Sequence, residues 1–221
     1  MRHPAATKHI PYRNIQKGTS SDEYVDKLVA FLELVLPDFT KEKQLRKEQS
    51  ENDLTEELYK FLTRKARLKG YPFEFQTEKA QKMPQGHDKR VDIAARVLTL
   101  DTDMEVVYCL EAKKLPTDRP NGKRETEYVS GKHGGIERFK MEAHGKDDYG
   151  NLLPQNGIVA YITTDDFSYW HTQVNHWIDA AGWLPAEALV VSYFSEIGVL
   201  TSSHLRKSGS MLLLTHFWII I

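Results

Sequence analysis

The sequence predicts an α/β protein, a mixed central sheet flanked by helices with an N-terminal helical extension. Three observations point there. Residues 90–113 read as two strands about a short polar turn, Asp101-Thr102-Asp103, and so short a turn makes the pair antiparallel. Apolar residues recur at the helical period over 22–36, 50–69 and 167–181. Gly157-Ile158-Val159-Ala160-Tyr161-Ile162 is a continuous apolar run, the pattern of a strand covered on both faces.

Taken in order, residues 1–20 are polar, carry Pro4, Pro11 and Gly18, and read as an arm suited to ordering on a partner. Asp22 to Leu36 is a helix capped by Ser21 or Asp22 and ended by Pro37-Asp38. Its apolar face can pack on its own domain or dock on another subunit. Lys41 to Glu48 is a charged connector. Ser50 is the expected N-cap of a helix reaching Lys69, with Leu54, Leu58, Phe61 and Leu62 as its buried stripe and Glu51 at the head of that stripe. Gly70-Tyr71-Pro72 breaks the chain, and Phe73 to Glu78 alternates as a strand. Residues 79–89 form a polar loop into the strand Arg90–Leu100, which pairs with the strand Glu105–Lys113.

After Lys113 a basic, turn-rich stretch runs to Arg124. Gly134-Gly135 then marks a tight turn or a close backbone approach, and Ile136, Phe139 and Met141 begin a packed helix. Thr163 to Asp166 caps the helix Phe167–Ala181, whose tryptophans are read as core, and Gly182 ends it. Leu189–Phe194 and Met211–Ile221 are two further strands, with the polar and basic segment Ser202–Lys207 between them. His204 and His216 are read as structural.

Composition narrows the function. Against 31 Asp plus Glu stand 30 Lys plus Arg, a formal net charge of −1, so no global basic field marks a polyanion binder. The basic charge is local, over 41–47, 60–69 and 113–124. The single cysteine, Cys109, lies in a strand and cannot form an internal disulfide; with no secretory signal this predicts a cytoplasmic protein. The apolar run 211–221 is too short to span a membrane, and no P-loop is present for nucleotide hydrolysis.

The chemistry-bearing stretch is the strand pair. Asp92 starts its first strand, and Glu111 and Lys113 end its second, so an antiparallel hairpin brings the three together. Strand alternation places Glu111 and Lys113 on one face and Ala112 on the other. Two neighbouring carboxylates repel unless a cation lies between them, and hard oxygen donors on a rigid strand pair suit Mg²⁺. A lysine beside such an ion can orient or deprotonate a water.

At Val91-Asp92 and Glu111-Ala112-Lys113 the chain resembles the PD-(D/E)xK nuclease superfamily. The resemblance covers residues 50–221 on element order and implies a restriction-endonuclease-like fold there, with residues 1–49 as an arm and helix for partner docking. It implies a metal site made by Asp92, Glu111 and the Ala112 carbonyl, with Lys113 on the attacking water. Many members also have a glutamate in the preceding helix pointing at the metal; Glu51 fits that place, with Glu57 as the alternative. The implied cofactor is Mg²⁺, for which Mn²⁺ can substitute. The implied reaction is hydrolysis of DNA phosphodiesters to a 5′-phosphate and a 3′-hydroxyl, with Lys114, Lys132 and Arg138 on the DNA. The chain is also similar to nuclease effectors of bacterial defence systems, Lamassu-type complexes among them. That likeness implies a protein partner such as an SMC-like ATPase, or a second copy of the chain. Two other readings stay open: an RNA-cleaving enzyme of the same class, and a non-enzymatic interaction subunit with the same fold.

Overall fold

The computed structural model describes residues 21–81, 83, 89–98, 105–118, 124–131 and 133–221. The expected arm, the 101–103 turn and Lys132 lie outside them. Among the described residues one mixed seven-stranded sheet is flanked by helices. In chain order these are α1 (Ser21–Glu42), α2 (Glu51–Lys69), β1 (Phe73–Gln81), β2 (Lys89–Val97), β3 (Val106–Leu115), α3 (Gly135–Lys140), β4 (Gln155–Ile162), α4 (Phe167–Ala180), β5 (Val190–Phe194), β6 (Gly198–Leu205) and β7 (Met211–Ile220). The spatial order is β1-β2-β3-β4-β7-β6-β5. β3, β4 and β7 run parallel at the centre, and every other pairing is antiparallel.

Each face of the sheet carries its own apolar core. One gathers α1 and α2 over Ile93, Leu110, Ala112, Val159, Tyr161 and Phe217. The other gathers α3, α4 and residues 128–129 over Ala94, Cys109, Ile158, Ala160 and Trp218. β4 is buried on both sides, as its uninterrupted apolar run requires. No helix of the described residues is long and apolar enough to cross a membrane.

α1 does not stop at Pro37, which lies inside it. The hydrogen bond that proline removes is outweighed by what the next turn anchors. Phe39 is fully buried against the Phe61 ring, with centroids 5.2 Å apart, and Asp38 and Glu42 both reach the Lys65 ammonium at 2.7 Å. The apolar face of α1, from Val25 through Leu28, Phe31, Leu32, Val35 and Leu36, is buried in the same core as α2. That face is therefore packed on its own chain.

α2 begins where its sequence says. Ser50 and Asp53 form a reciprocal capping box, and Gly70 closes the helix in the left-handed region at φ +69°. β6 replaces what reads in sequence as a polar connection. Its inward positions, Ser202 and His204, are polar yet buried, so the alternation is present with inverted polarity. At the start of the short α3, Ile136 and Phe139 are buried, but Met141 lies past its end and is exposed.

Candidate active site

The register of the hairpin sets the site. β2 and β3 pair from Arg96↔Val106 to Ile93↔Leu110, and beyond that last pair the strands separate. Asp92 therefore does not continue the ladder. Its Oδ2 accepts the Ala112 N–H at 2.7 Å, which places the carboxylate beside the end of β3. Alternation along β3 sends Ala112 into the core under α1 and α2 and leaves Glu111 and Lys113 together on the opposite face, Lys113 Nζ being 2.9 Å from Glu111 Oε1.

The Lys113 ammonium is the centre of the constellation. Besides Glu111 it meets the Ala112 carbonyl at 2.8 Å and Glu51 Oε1 at 3.4 Å. Glu51, the first residue of α2, is fixed by accepting the Lys114 N–H on Oε2 at 2.8 Å, while its own N–H donates to Asp118 at 3.1 Å. Of the two glutamates open from the sequence, Glu51 faces this site; Glu57 instead pairs with Lys43 at 2.6 Å. Asp92, Glu111, Lys113, Ala112 and Glu51 are thus brought together by three segments of chain, α2, β2 and β3.

Two residues expected on DNA are engaged elsewhere. Lys114 points to the opposite side of β3 from Lys113 and is 8% exposed. Its ammonium holds the carbonyls of Lys47 and Gln49 at 2.7 and 2.9 Å and Asp118 at 2.5 Å, so it tethers the entry to α2. Arg138 donates to Glu111 Oε1 at 2.6 Å and to His133 Nδ1 at 3.0 Å. It therefore faces the carboxylate rather than open solvent.

One participant leaves no mark in the sequence. His144, in the loop after α3, sits at 3.0 Å from Glu111 Oε2 through Nδ1. Gly135 marks a close approach: a side chain there would meet the Tyr128 carbonyl at 2.9 Å and Lys113 Cγ at 3.4 Å.

The electrostatics follow from this crowding. Burial works to raise the Glu111 pKa, but Lys113, then His144 and Arg138, outweigh it and hold the carboxyl well below the usual range. Burial would likewise lower the Lys113 pKa, yet Glu111, Glu51 and Asp92 raise it above that of an ordinary lysine. Asp92 has no cation in direct contact. Burial and the neighbouring Glu111 charge push it up to about 7.

No group of three His, Cys, Asp or Glu side chains in the described residues is arranged to hold a metal ion as it stands. The donor chemistry nevertheless fits a hard divalent ion. Glu51 Oε1, Glu111 Oε1 and the Ala112 carbonyl converge on one cation, the Lys113 ammonium, with Asp92 adjacent and poorly compensated. Compared with models of known families, with curated proteins and with solved structures, the chain matches none.

Proposed function

We propose that the chain is a metal-dependent nuclease that hydrolyses DNA phosphodiester bonds at the end of the β2–β3 hairpin. One observation carries this reading. Three oxygens, one from α2 and two from β3, converge on a single ammonium while a further carboxylate, Asp92 of β2, stands beside them. Glu51, Asp92, Glu111 and the Ala112 carbonyl would hold the ion, Mg²⁺ or Mn²⁺. Bound there, it would supply Lewis-acid polarisation of the phosphate and neutralise charge developing on its oxygens.

The chain's own residues do the rest. Glu111, ionised at any ordinary pH, anchors the anionic side of the site. The raised Lys113 pKa keeps its side chain cationic, so it orients the attacking water and stabilises negative charge rather than taking a proton as a free amine. Arg138 lies on Glu111 Oε1 with its side chain 24% exposed, close enough to the surface to exchange that carboxylate for a phosphate once another cation neutralises Glu111.

A second reading is favoured by a specific feature. Glu111 is already neutralised by Lys113 and Arg138, which is what a non-enzymatic module with a self-compensated buried cluster would show.

Cleavage of circular and linear DNA in Mg²⁺, Mn²⁺ or EDTA separates the two. The expected result is metal-dependent cutting that is lost in Asp92→Ala, with RNA run in parallel to test the substrate. Cutting that survives Asp92→Ala, or no cutting of either nucleic acid with Mg²⁺ or Mn²⁺, by the chain alone or with an SMC-like ATPase added, would replace the nuclease with the module.

A further inference from the structure

The two oxygens of Glu111 lead different lives. Oε1 faces the cations, meeting Arg138 at 2.6 Å and Lys113 at 2.9 Å. Oε2 faces inward, where its neighbour is His144 Nδ1 at 3.0 Å. Both atoms are buried and neither makes a hydrogen bond of ordinary directional geometry, so this 3.0 Å contact is the one polar contact of each, in residues 0% and 1% exposed. An ionised carboxylate oxygen can only accept, so the proton between these atoms belongs to Nδ1.

The loop is built to deliver that imidazole. The N–H groups of Ala143 and His144 both donate to the Arg138 carbonyl, at 2.8 and 3.2 Å, closing the end of α3. Glu142 at φ +61° and Gly145 at φ +81° turn the chain on either side. At Gly145 a side chain would strike Asn156 Nδ2 at 2.8 Å, so only glycine lets the loop press this close to the sheet. The Phe139 ring meets the imidazole edge-on, with centroids 5.8 Å apart, and fixes its plane.

We infer that His144 is a positioning residue: by occupying Glu111 Oε2 it presents Oε1 as the single oxygen through which Glu111 holds a divalent cation. The inference rests on the metal-dependent reading above and goes beyond it. It makes Glu111 a one-oxygen ligand and names the side chain that decides which oxygen. Without the imidazole N–H, the carboxylate loses its only inner partner and is free to rotate between the cations in front of it. Loss of such an outer partner typically weakens metal binding about 10- to 100-fold.

The test is calorimetric titration of Mg²⁺ and Mn²⁺ into the full chain without nucleic acid, comparing the parent with His144→Gln and His144→Leu. Urea midpoints are followed in parallel. Glutamine keeps an N–H donor and leucine keeps only bulk. The expected result is affinity about 10- to 100-fold weaker in His144→Leu and largely restored in His144→Gln. Should the leucine chain not fold, His144→Phe, which keeps a flat ring but has no N–H, takes its place, with the same loss expected. A merely structural histidine would lower the urea midpoints and leave metal affinity alone. Equal affinity in parent and variants would therefore overturn the positioning role while the nuclease reading stands. A parent that binds neither ion would remove the metal reading itself, and this inference with it.

Discussion

The sheet carries two buried polar constellations, and they are built on opposite plans. At the end of β2 and β3 the groups are charged and overlapping: one Glu111 carboxylate serves Lys113, Arg138 and His144. Under β6 and β7 they form a single file. Trp218 Nε1 donates to the Tyr128 hydroxyl at 2.9 Å, and that hydroxyl is 2.7 Å from His216 Nδ1. Ser202 Oγ bridges His216 Nε2 at 2.8 Å and His204 Nε2 at 2.7 Å, and His204 Nδ1 reaches Glu187 at 3.1 Å. Lys140 pairs with Glu187 at the far end. Because indole N–H only donates, the direction of the chain is set. Tyr128 gives its proton to His216 Nδ1, His216 Nε2–H gives to Ser202, Ser202 gives to His204 Nε2, and His204 Nδ1–H gives to Glu187. Every donor is used once, with nothing left for a ligand. The charged cluster instead converges on one cation, the Lys113 ammonium, which the proposed divalent ion would displace. Burial and polar content are common to both; only the charged cluster, the site of the proposed chemistry, gathers several groups on one carboxylate.

Acid should separate the two regions most strongly. Burial lowers the His204 pKa to about 4 and the His216 pKa to about 3, so both are neutral in the folded chain where the unfolded chain would protonate them. Their contribution is complete above about pH 6.5 and is lost as pH falls toward 4, by about 1.4 kcal/mol per pH unit for each histidine. Asp92 works the other way. Its folded pKa is raised to about 7, so across the same window the folded chain holds a proton the unfolded chain lacks and recovers about what one histidine loses. The parent should then lose about 3 kcal/mol between pH 6.5 and 4.5, and Asp92→Ala about 5 kcal/mol. Urea unfolding at the two pH values measures both. Equal pH slopes in the two proteins would show that Asp92 is ionised throughout.

Glu111→Gln should come next in size. It leaves Lys113 and Arg138 facing a neutral amide in a buried setting, an uncompensated charge that costs about 3–5 kcal/mol. A fall in the urea midpoint of less than about 1 kcal/mol would mean that Glu51 alone compensates Lys113 and that the cluster is looser than its distances imply.

The difference in plan also explains what could be read from the sequence. Asp92, Glu111 and Lys113 follow from strand alternation and a short turn, both local rules, and the start of α2 follows from Ser50 and its capping partner. Charge type was legible for Lys114 and Arg138, but the tertiary partners that hold them were not. Alternation sends Lys114 away from Lys113 toward the entry to α2, and the turn at the start of α3 aims Arg138 at Glu111. Pro37 reads as a stop because the contacts that carry α1 past it, Phe39 on Phe61 and Lys65 on Asp38 and Glu42, are tertiary. β6 was invisible for a related reason. Its buried positions are Ser202 and His204, and polar residues signal a covered face only when their partners are known. His144 is a lone histidine in a polar loop, and its meaning lies wholly in a contact across the fold.

The smallest and sharpest test bears on the single-file network. Ser202→Ala removes one hydroxyl and strands two imidazole nitrogens in a dry interior, His204 Nε2 as an acceptor and His216 Nε2–H as a donor. Leaving buried polar atoms unpaired should cost about 2–3 kcal/mol in all, seen as a lowered urea midpoint with metal binding unchanged. The same file fixes two tautomers. Nitrogen-15 correlation spectra of the parent should show the proton on Nε2 of His216 and on Nδ1 of His204. A reversed pair would require the Tyr128 hydroxyl to accept from His216 as well as from Trp218, leaving its own proton no partner within the file. If the spectra show that reversal, the network holds an unsatisfied donor, and the contrast between a closed region and a reactive one no longer divides the sheet.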